Sequence, residues 1–153
     1  MRARAGVVSL LVACLVLAGC AASTDRAGYE TKVCGAIRSL AGNNQDFATF
    51  SSNSVSATAA LEAMGRMKSR TQAAADALDA AATWAPGAAD ARALATTQHD
   101  LLAILGDFEA AVNNADSARW TAARSRYAAW YSASTSSIQR AATDLASLGV
   151  TCS

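Results

Sequence analysis

Apolar residues recur every three or four positions along most of the chain, which is the spacing of amphipathic α-helices. Over residues 54–84 the inward positions are Ala60, Met64, Met67, Thr71, Ala74, Leu78 and Ala81. Over residues 88–113 they are Ala91, Leu94, Gln98, Leu101, Leu105, Phe108 and Val112. Over residues 117–148 they are Ala123, Tyr127, Trp130, Ser134, Ala141, Leu145 and Leu148. Each stripe predicts a long helix that buries one face.

Turn-forming residues separate these predicted helices. Pro86-Gly87 ends the first of the three, and Asn113-Asn114 ends the next. Gly149 terminates the last helix. The connections are short, so that neighbouring helices are expected to run antiparallel.

A shorter helical segment precedes the three long ones, starting near residue 27. Val33, Ile37 and Leu40 form its apolar stripe, and Gly42-Asn43-Asn44 interrupts it before a further turn or two. We therefore expect an all-α fold, an antiparallel up-down-up-down four-helix bundle with a short, interrupted first helix. A β-sandwich is excluded because both turn signals and β-branched residues are sparse in this sequence.

The first twenty residues have the organisation of an export signal. A basic start, Met1-Arg2-Ala3-Arg4, precedes an apolar run that ends in Leu17-Ala18-Gly19-Cys20. These last four residues resemble the lipobox of bacterial lipoproteins. The resemblance, which is confined to residues 1–20, implies that the Cys20 thiol receives a diacylglyceryl group and that residues 1–19 are removed as a signal peptide. The lipidated tether then spans residues 20–26, and the helical periodicity predicts a bundle domain at residues 27–153.

Two other interpretations of this segment stay open. It fits an ordinary secretory signal that is cut at a small-residue site, and it fits an uncleaved anchor because residues 5–22 are largely apolar. All three interpretations place the chain after residue 24 outside the cytoplasm. The lipobox resemblance favours attachment to the cell membrane through lipid on Cys20, on the extracytoplasmic face.

Four cysteines divide into two groups. Cys14 and Cys20 belong to the export segment, which leaves Cys34 and Cys152 in an oxidising compartment and predicts one disulfide between them. In the expected topology the start of the first helix and the end of the last lie at the same end of the bundle, which agrees with this pairing. The alternative is a pair of free thiols.

Catalytic and metal chemistry have little support in the sequence. His99 is the single histidine, and the Glu-x-x-His pattern of di-iron bundles is absent. We expect His99 to be a boundary residue rather than a general base or a metal ligand. No catalytic residue, metal site or cofactor is therefore predicted.

Arginines and aromatic residues alternate over residues 119–131. Tyr127 and Trp130 fall on the core stripe, so that core packing explains part of this stretch. The alternative is a partner or ligand surface that uses Trp120, Arg124 and Tyr131. A net charge of +1 over the whole chain argues against nucleic acid as the partner.

A local basic run, Arg66, Lys68 and Arg70, lies on the second predicted helix. Glu62 precedes Arg66 by one helical turn, so we expect these two side chains to pair.

These features predict a membrane-anchored extracytoplasmic lipoprotein that is a non-enzymatic binding or scaffolding module of the cell envelope. The alternative function is a carrier that binds a small apolar ligand between its helices. A carrier requires a pocket of at least about 300 Å³ between helices, whereas a scaffold requires an exposed, contiguous apolar or aromatic patch of several hundred Å².

The lipid anchor can be tested by replacing its acceptor. We expect Cys20→Ala to release the protein into the medium or to block removal of residues 1–19, because the thiol that carries the lipid is lost. Membrane and medium fractions, with the mass of the processed chain, measure this. Cys14→Ala, which leaves the lipobox intact, is the control. Unchanged membrane attachment of Cys20→Ala would show that the lipobox interpretation is wrong.

Overall fold

The computed structural model describes residues 25–52 and 55–152. The predicted signal peptide, the lipidation site Cys20 and the tether up to residue 24 lie outside the described residues.

Helices dominate the described chain, and no strand occurs within residues 25–52 and 55–152. The five helices are α1 over residues 25–39, α2 Asn43–Phe50, α3 Ala57–Ala81, α4 Ala88–Asn113 and α5 Ser117–Ser147. A 3₁₀ turn, Leu40–Gly42, joins α1 to α2, so that these two helices form the interrupted first arm. A second 3₁₀ turn, Ala85–Gly87, leads into α4.

The arrangement confirms the predicted all-α, up-down-up-down four-helix bundle. The α2 helix packs against α3, α3 against α4, and α4 against α5. The α1 helix already includes Asp25 and Arg26, two residues before the expected start of the bundle domain.

The ends of α3 differ from the expected span of residues 54–84. Ser56 caps the helix, since its side chain accepts a hydrogen bond from the backbone N–H of Ala59. At the other end the helix stops at Ala81, and Trp84 is extended with its ring 4.7 Å from that of Tyr29. Trp84 therefore packs against Tyr29 from outside α3, although the pattern predicted that it belongs to this helix.

Two apolar clusters fill the bundle. The cluster near the disulfide includes Tyr29, Val33, Leu78, Leu94 and Leu145, and the other includes Phe50, Met64, Met67, Leu105 and Phe108. Alanine is the commonest buried residue in both, which lets the helices approach closely but buries little apolar area per residue.

A layer of buried polar side chains separates these two clusters. Asn43, Thr71, Gln98 and Ser134 contribute one residue each from α2, α3, α4 and α5. Along α3, α4 and α5 the polar residue lies between members of the two clusters, and in the first arm Asn43 lies between Leu40, which packs on one cluster, and Phe47, which packs on the other. The Asn43 amide nitrogen donates to the Thr71 hydroxyl over 3.2 Å, so that part of the layer is internally satisfied.

The first and last helices are joined at the disulfide end of the bundle. Cys34 and Cys152 form the predicted disulfide, across a sequence separation of 118 residues. Nearby, the Arg26 guanidinium donates to the carbonyl of Gly149 over 2.8 Å. Gly149 ends α5 with a φ of +72°, a left-handed conformation that favours glycine.

One buried carboxylate holds α2 to α3. Asp46 of α2 accepts hydrogen bonds from Arg66 and Arg70 of α3, the first at 2.7 Å. The expected pairing of Arg66 with Glu62 was therefore wrong, because a carboxylate on the neighbouring helix binds Arg66. Burial acts to raise the pKa of Asp46, but the hydrogen bonds and charges of the two arginines outweigh it and the pKa lies below its ordinary value.

Loss of the disulfide should destabilise the bundle strongly. In the chain-entropy model a crosslink across a loop of this length contributes up to about 4–5 kcal/mol. We expect Cys152→Ser to lower the melting temperature by roughly 10–20 °C, measured by circular dichroism. Reductant should destabilise the wild-type protein similarly and leave Cys152→Ser unaffected. A fall of only a degree or two would contradict this role.

Replacing Asp46 should remove a pH-dependent contribution to stability. Because its pKa is lowered in the folded state, the ionised carboxylate stabilises the fold above its unfolded pKa of about 4, and this contribution disappears as the pH falls through the lowered folded value. We expect Asp46→Asn to cost on the order of 1–2 kcal/mol near neutral pH, since both arginines are partly in solvent.

Urea unfolding at several pH values measures the effect of Asp46→Asn. The difference in stability from wild type should shrink in acid, whereas Asp100→Asn, at an exposed position on α4, should change stability little at any pH. A difference for Asp46→Asn that stays constant down to strongly acidic pH would refute the assignment.

Candidate functional site

The first arm and α5 face each other along one side of the bundle and are joined at two points. The first is the disulfide between Cys34 and Cys152, with the hydrogen bond from Arg26 to Gly149 beside it. The other is a stack of Phe47 on Tyr127, whose ring centroids are 4.0 Å apart with planes 10° from parallel. Between these two joints the side chains of the two arms leave open space.

A cleft of about 260 Å³ opens at the interruption of the first arm. Its polar lining includes Asn43, Gln98 and Ser134 of the buried layer. Its other walls are mostly apolar or aromatic, and include Leu40, Met67, Leu101, Tyr127, Trp130, Tyr131 and Ile138.

A second cavity of about 370 Å³ adjoins this cleft at Ile138, which lines both. Its walls are largely aliphatic, and include Ile37, Leu94, Ala141, Leu145 and Val150. Together, we call the cleft and this cavity the α1–α5 groove. Their volumes are close to the lower end of the range for small-molecule sites.

Large exposed hydrophobic residues coincide with this groove. Within the described chain they are Ile37, Ile138 and Tyr131, with 37%, 41% and 56% of their surface exposed. All three line one of the two cavities. Exposed apolar side chains that converge on a concavity are typical of a binding site rather than of an ordinary surface.

The groove is electrically neutral. None of the described residues that line either cavity is Lys, Arg, Asp or Glu. Burial, with a further contribution from Tyr131, raises the pKa of Tyr127 to about 12, so that its phenol is uncharged at physiological pH. The lining therefore offers shape and hydrogen bonds rather than charge.

Gln98 is the unusual polar residue of the cleft. It is 2% exposed, and its Oε1 is the single buried side-chain nitrogen or oxygen among the described residues that has no hydrogen-bond partner. Native proteins rarely leave a buried acceptor unpaired, because the group has lost its hydration without compensation.

The three residues of the predicted partner surface have different environments. Trp120 is half-buried and packs edge-on against Phe108, with ring centroids 4.9 Å apart. Arg124 is exposed and does not line the groove, whereas Tyr131 is exposed on its rim. The structure therefore brings one of the three, Tyr131, into the candidate site.

The groove also uses residues that the sequence did not single out as functional. Ile138 fits the α5 spacing between Ser134 and Ala141, which was the available signal, but its exposure depends on where α1 lies. Leu40 and Asn43 line the cleft at the 3₁₀ turn that joins α1 to α2.

The remaining candidate residues lie elsewhere. His99 is half-exposed, and its Nε2 lies 3.1 Å from Oδ2 of Asp79 on α3, as expected of a boundary histidine. Lys68 of the basic run pairs with Glu109 on α4 over 2.6 Å. In the described parts of the chain, no group of three or more His, Cys, Asp or Glu residues is placed to hold a metal ion.

Among residues 25–52 and 55–152, no helix combines the length and the apolar character that crossing a membrane requires. Comparison of the chain with protein-family models, with curated proteins and with solved structures finds no match in any of the three.

Proposed function

We propose that this protein is a lipid-anchored, extracytoplasmic and non-enzymatic binding module of the cell envelope, which carries a small neutral apolar molecule in the α1–α5 groove. The observation that carries the proposal is that the exposed side chains of Ile37, Ile138 and Tyr131 line two adjoining cavities between the first arm and α5, which share Ile138. Apolar groups that stay exposed in the folded chain become buried when such a molecule binds.

The shape of this surface favours a carrier over a scaffold. A scaffolding protein typically presents apolar side chains on a broad face, where a partner of similar size packs against them. Here the exposed apolar residues surround cavities of about 260 and 370 Å³, which suit a molecule of small size.

The location outside the cytoplasm is supported by two separate features. The lipobox-like Leu17-Ala18-Gly19-Cys20 suits lipid attachment, and the disulfide between Cys34 and Cys152 suits an oxidising compartment. An anchored carrier would hold its ligand close to the membrane surface, because few residues separate Cys20 from α1.

Photolabelling of the full chain in membranes tests the proposal directly. The probe is an eight-carbon aliphatic diazirine without a hydroxyl group, which reacts with whatever surrounds it on irradiation. We expect its adducts, mapped by mass spectrometry, to concentrate at residues that line the groove. Ile138→Arg should reduce this labelling about tenfold or more, since it places a charge where the apolar probe binds.

Ser132→Arg, which adds the same charge at an exposed position of α5 outside the groove, is the matched control and should label as the wild type does. Adducts spread evenly over the solvent-exposed faces, with equal labelling of the two arginine variants, would reject the groove as a binding site.

A further inference from the structure

Three polar side chains that line the cleft with Gln98 are engaged with other partners. The Asn43 amide donates to Thr71 and its oxygen accepts from Arg70. The Trp130 indole N–H donates to the carbonyl of Thr97 over 2.7 Å. The Ser134 hydroxyl donates to the carbonyl of Tyr131 over 3.1 Å.

Gln98 Oε1 is therefore a buried acceptor without a donor, on a residue that lines a cleft large enough for a ligand. A molecule that only filled the cleft with apolar surface would leave this oxygen unpaired. A molecule with an O–H or N–H group would pair it. Gln98 therefore favours ligands that donate a hydrogen bond over ligands that do not.

Charge and shape restrict that molecule further. Because no Lys, Arg, Asp or Glu lines the described cavities, an ionic headgroup would lose its hydration without a counter-charge. Leu94 lies one helical turn before Gln98 on α4 and lines the adjoining aliphatic cavity. A chain that starts at Gln98 can thus continue past Ile138 towards Ile37.

We infer that the α1–α5 groove selects a neutral aliphatic amphiphile, whose hydroxyl or amide N–H donates a hydrogen bond to Gln98 Oε1 and whose chain lies in the cavity beside Ile37. The inference rests on the proposed carrier function and adds the chemical class of the ligand. It assigns Gln98 as the residue that distinguishes an alcohol or amide from a hydrocarbon or ether of equal size.

Two isomeric competitors test this inference in the photolabelling assay. 1-Octanol and heptyl methyl ether contain the same atoms, but only the alcohol donates a hydrogen bond. Membranes take up the two isomers to different extents. For each isomer we therefore compare the concentration that displaces the probe from wild type with the concentration that displaces it from Gln98→Leu.

We expect the alcohol to require about a tenfold higher concentration with Gln98→Leu than with wild type, because one hydrogen bond is lost. The ether should require the same concentration with both proteins.

Two further variants make the result specific. Ser134→Ala removes a hydroxyl from the same cleft that is engaged with Tyr131, and it should leave displacement by the alcohol as in wild type. Gln98→Met, with an unbranched side chain of similar length, should behave as Gln98→Leu does and replaces it if melting curves show that the leucine variant does not fold.

The outcomes separate the two proposals. If the probe labels the groove but substitution of Gln98 weakens displacement by the alcohol no more than displacement by the ether, the assignment of Gln98 is overturned and the carrier function stands. An equal weakening for both competitors would show that the substitution acts through the shape of the cleft. Absence of labelling in the groove would instead reject the carrier function itself.

Discussion

The bundle depends on how its first arm is attached to its last helix. Each of α2, α3 and α4 packs along the next helix. The first arm meets the C-terminal part of the chain at the disulfide of Cys34 and Cys152, at the hydrogen bond from Arg26 to Gly149 and at the stack of Phe47 on Tyr127. Between the disulfide and this stack, the side chains of the first arm and α5 leave the two cavities of the α1–α5 groove.

The interrupted first arm and the polar layer lie at the same level of the bundle. The 3₁₀ turn Leu40–Gly42 immediately precedes Asn43, which belongs to that layer, and both Leu40 and Asn43 line the cleft. The cleft therefore opens where the core is polar, in a bundle whose alanine-rich core buries little apolar area per residue.

Much of the fold follows from local features of the sequence. Helix α4 has the predicted bounds because Pro86-Gly87 and Asn113-Asn114 are strong local stops. The start of α3 is less predictable, since several serines precede it and only the three-dimensional chain shows that Ser56 is the cap. The partner of Arg66 was missed for a related reason, because an ion pair between two helices leaves no periodic trace along either of them.

The candidate site was only partly predictable. Periodicity placed Gln98 and Ser134 on inward faces, and both are buried. The spacing of residues along one helix does not report the distance to the next, so neither the exposure of Ile138 nor the unpaired oxygen of Gln98 can be read from the pattern. Tyr131 was identified because it lies in a stretch rich in arginine and aromatic residues, whereas its role at the groove depends on the position of the first arm.

The hydrogen bond between Arg26 and Gly149, beside the disulfide, affects how the bundle is oriented relative to the membrane. It fixes the first described residues at the same pole as the aliphatic cavity, which Val150 and Cys152 line. A lipid attached at Cys20 would turn that pole towards the bilayer. A hydrophobic chain could then exchange between bilayer and groove over a short path, with little of its length exposed to water during the transfer.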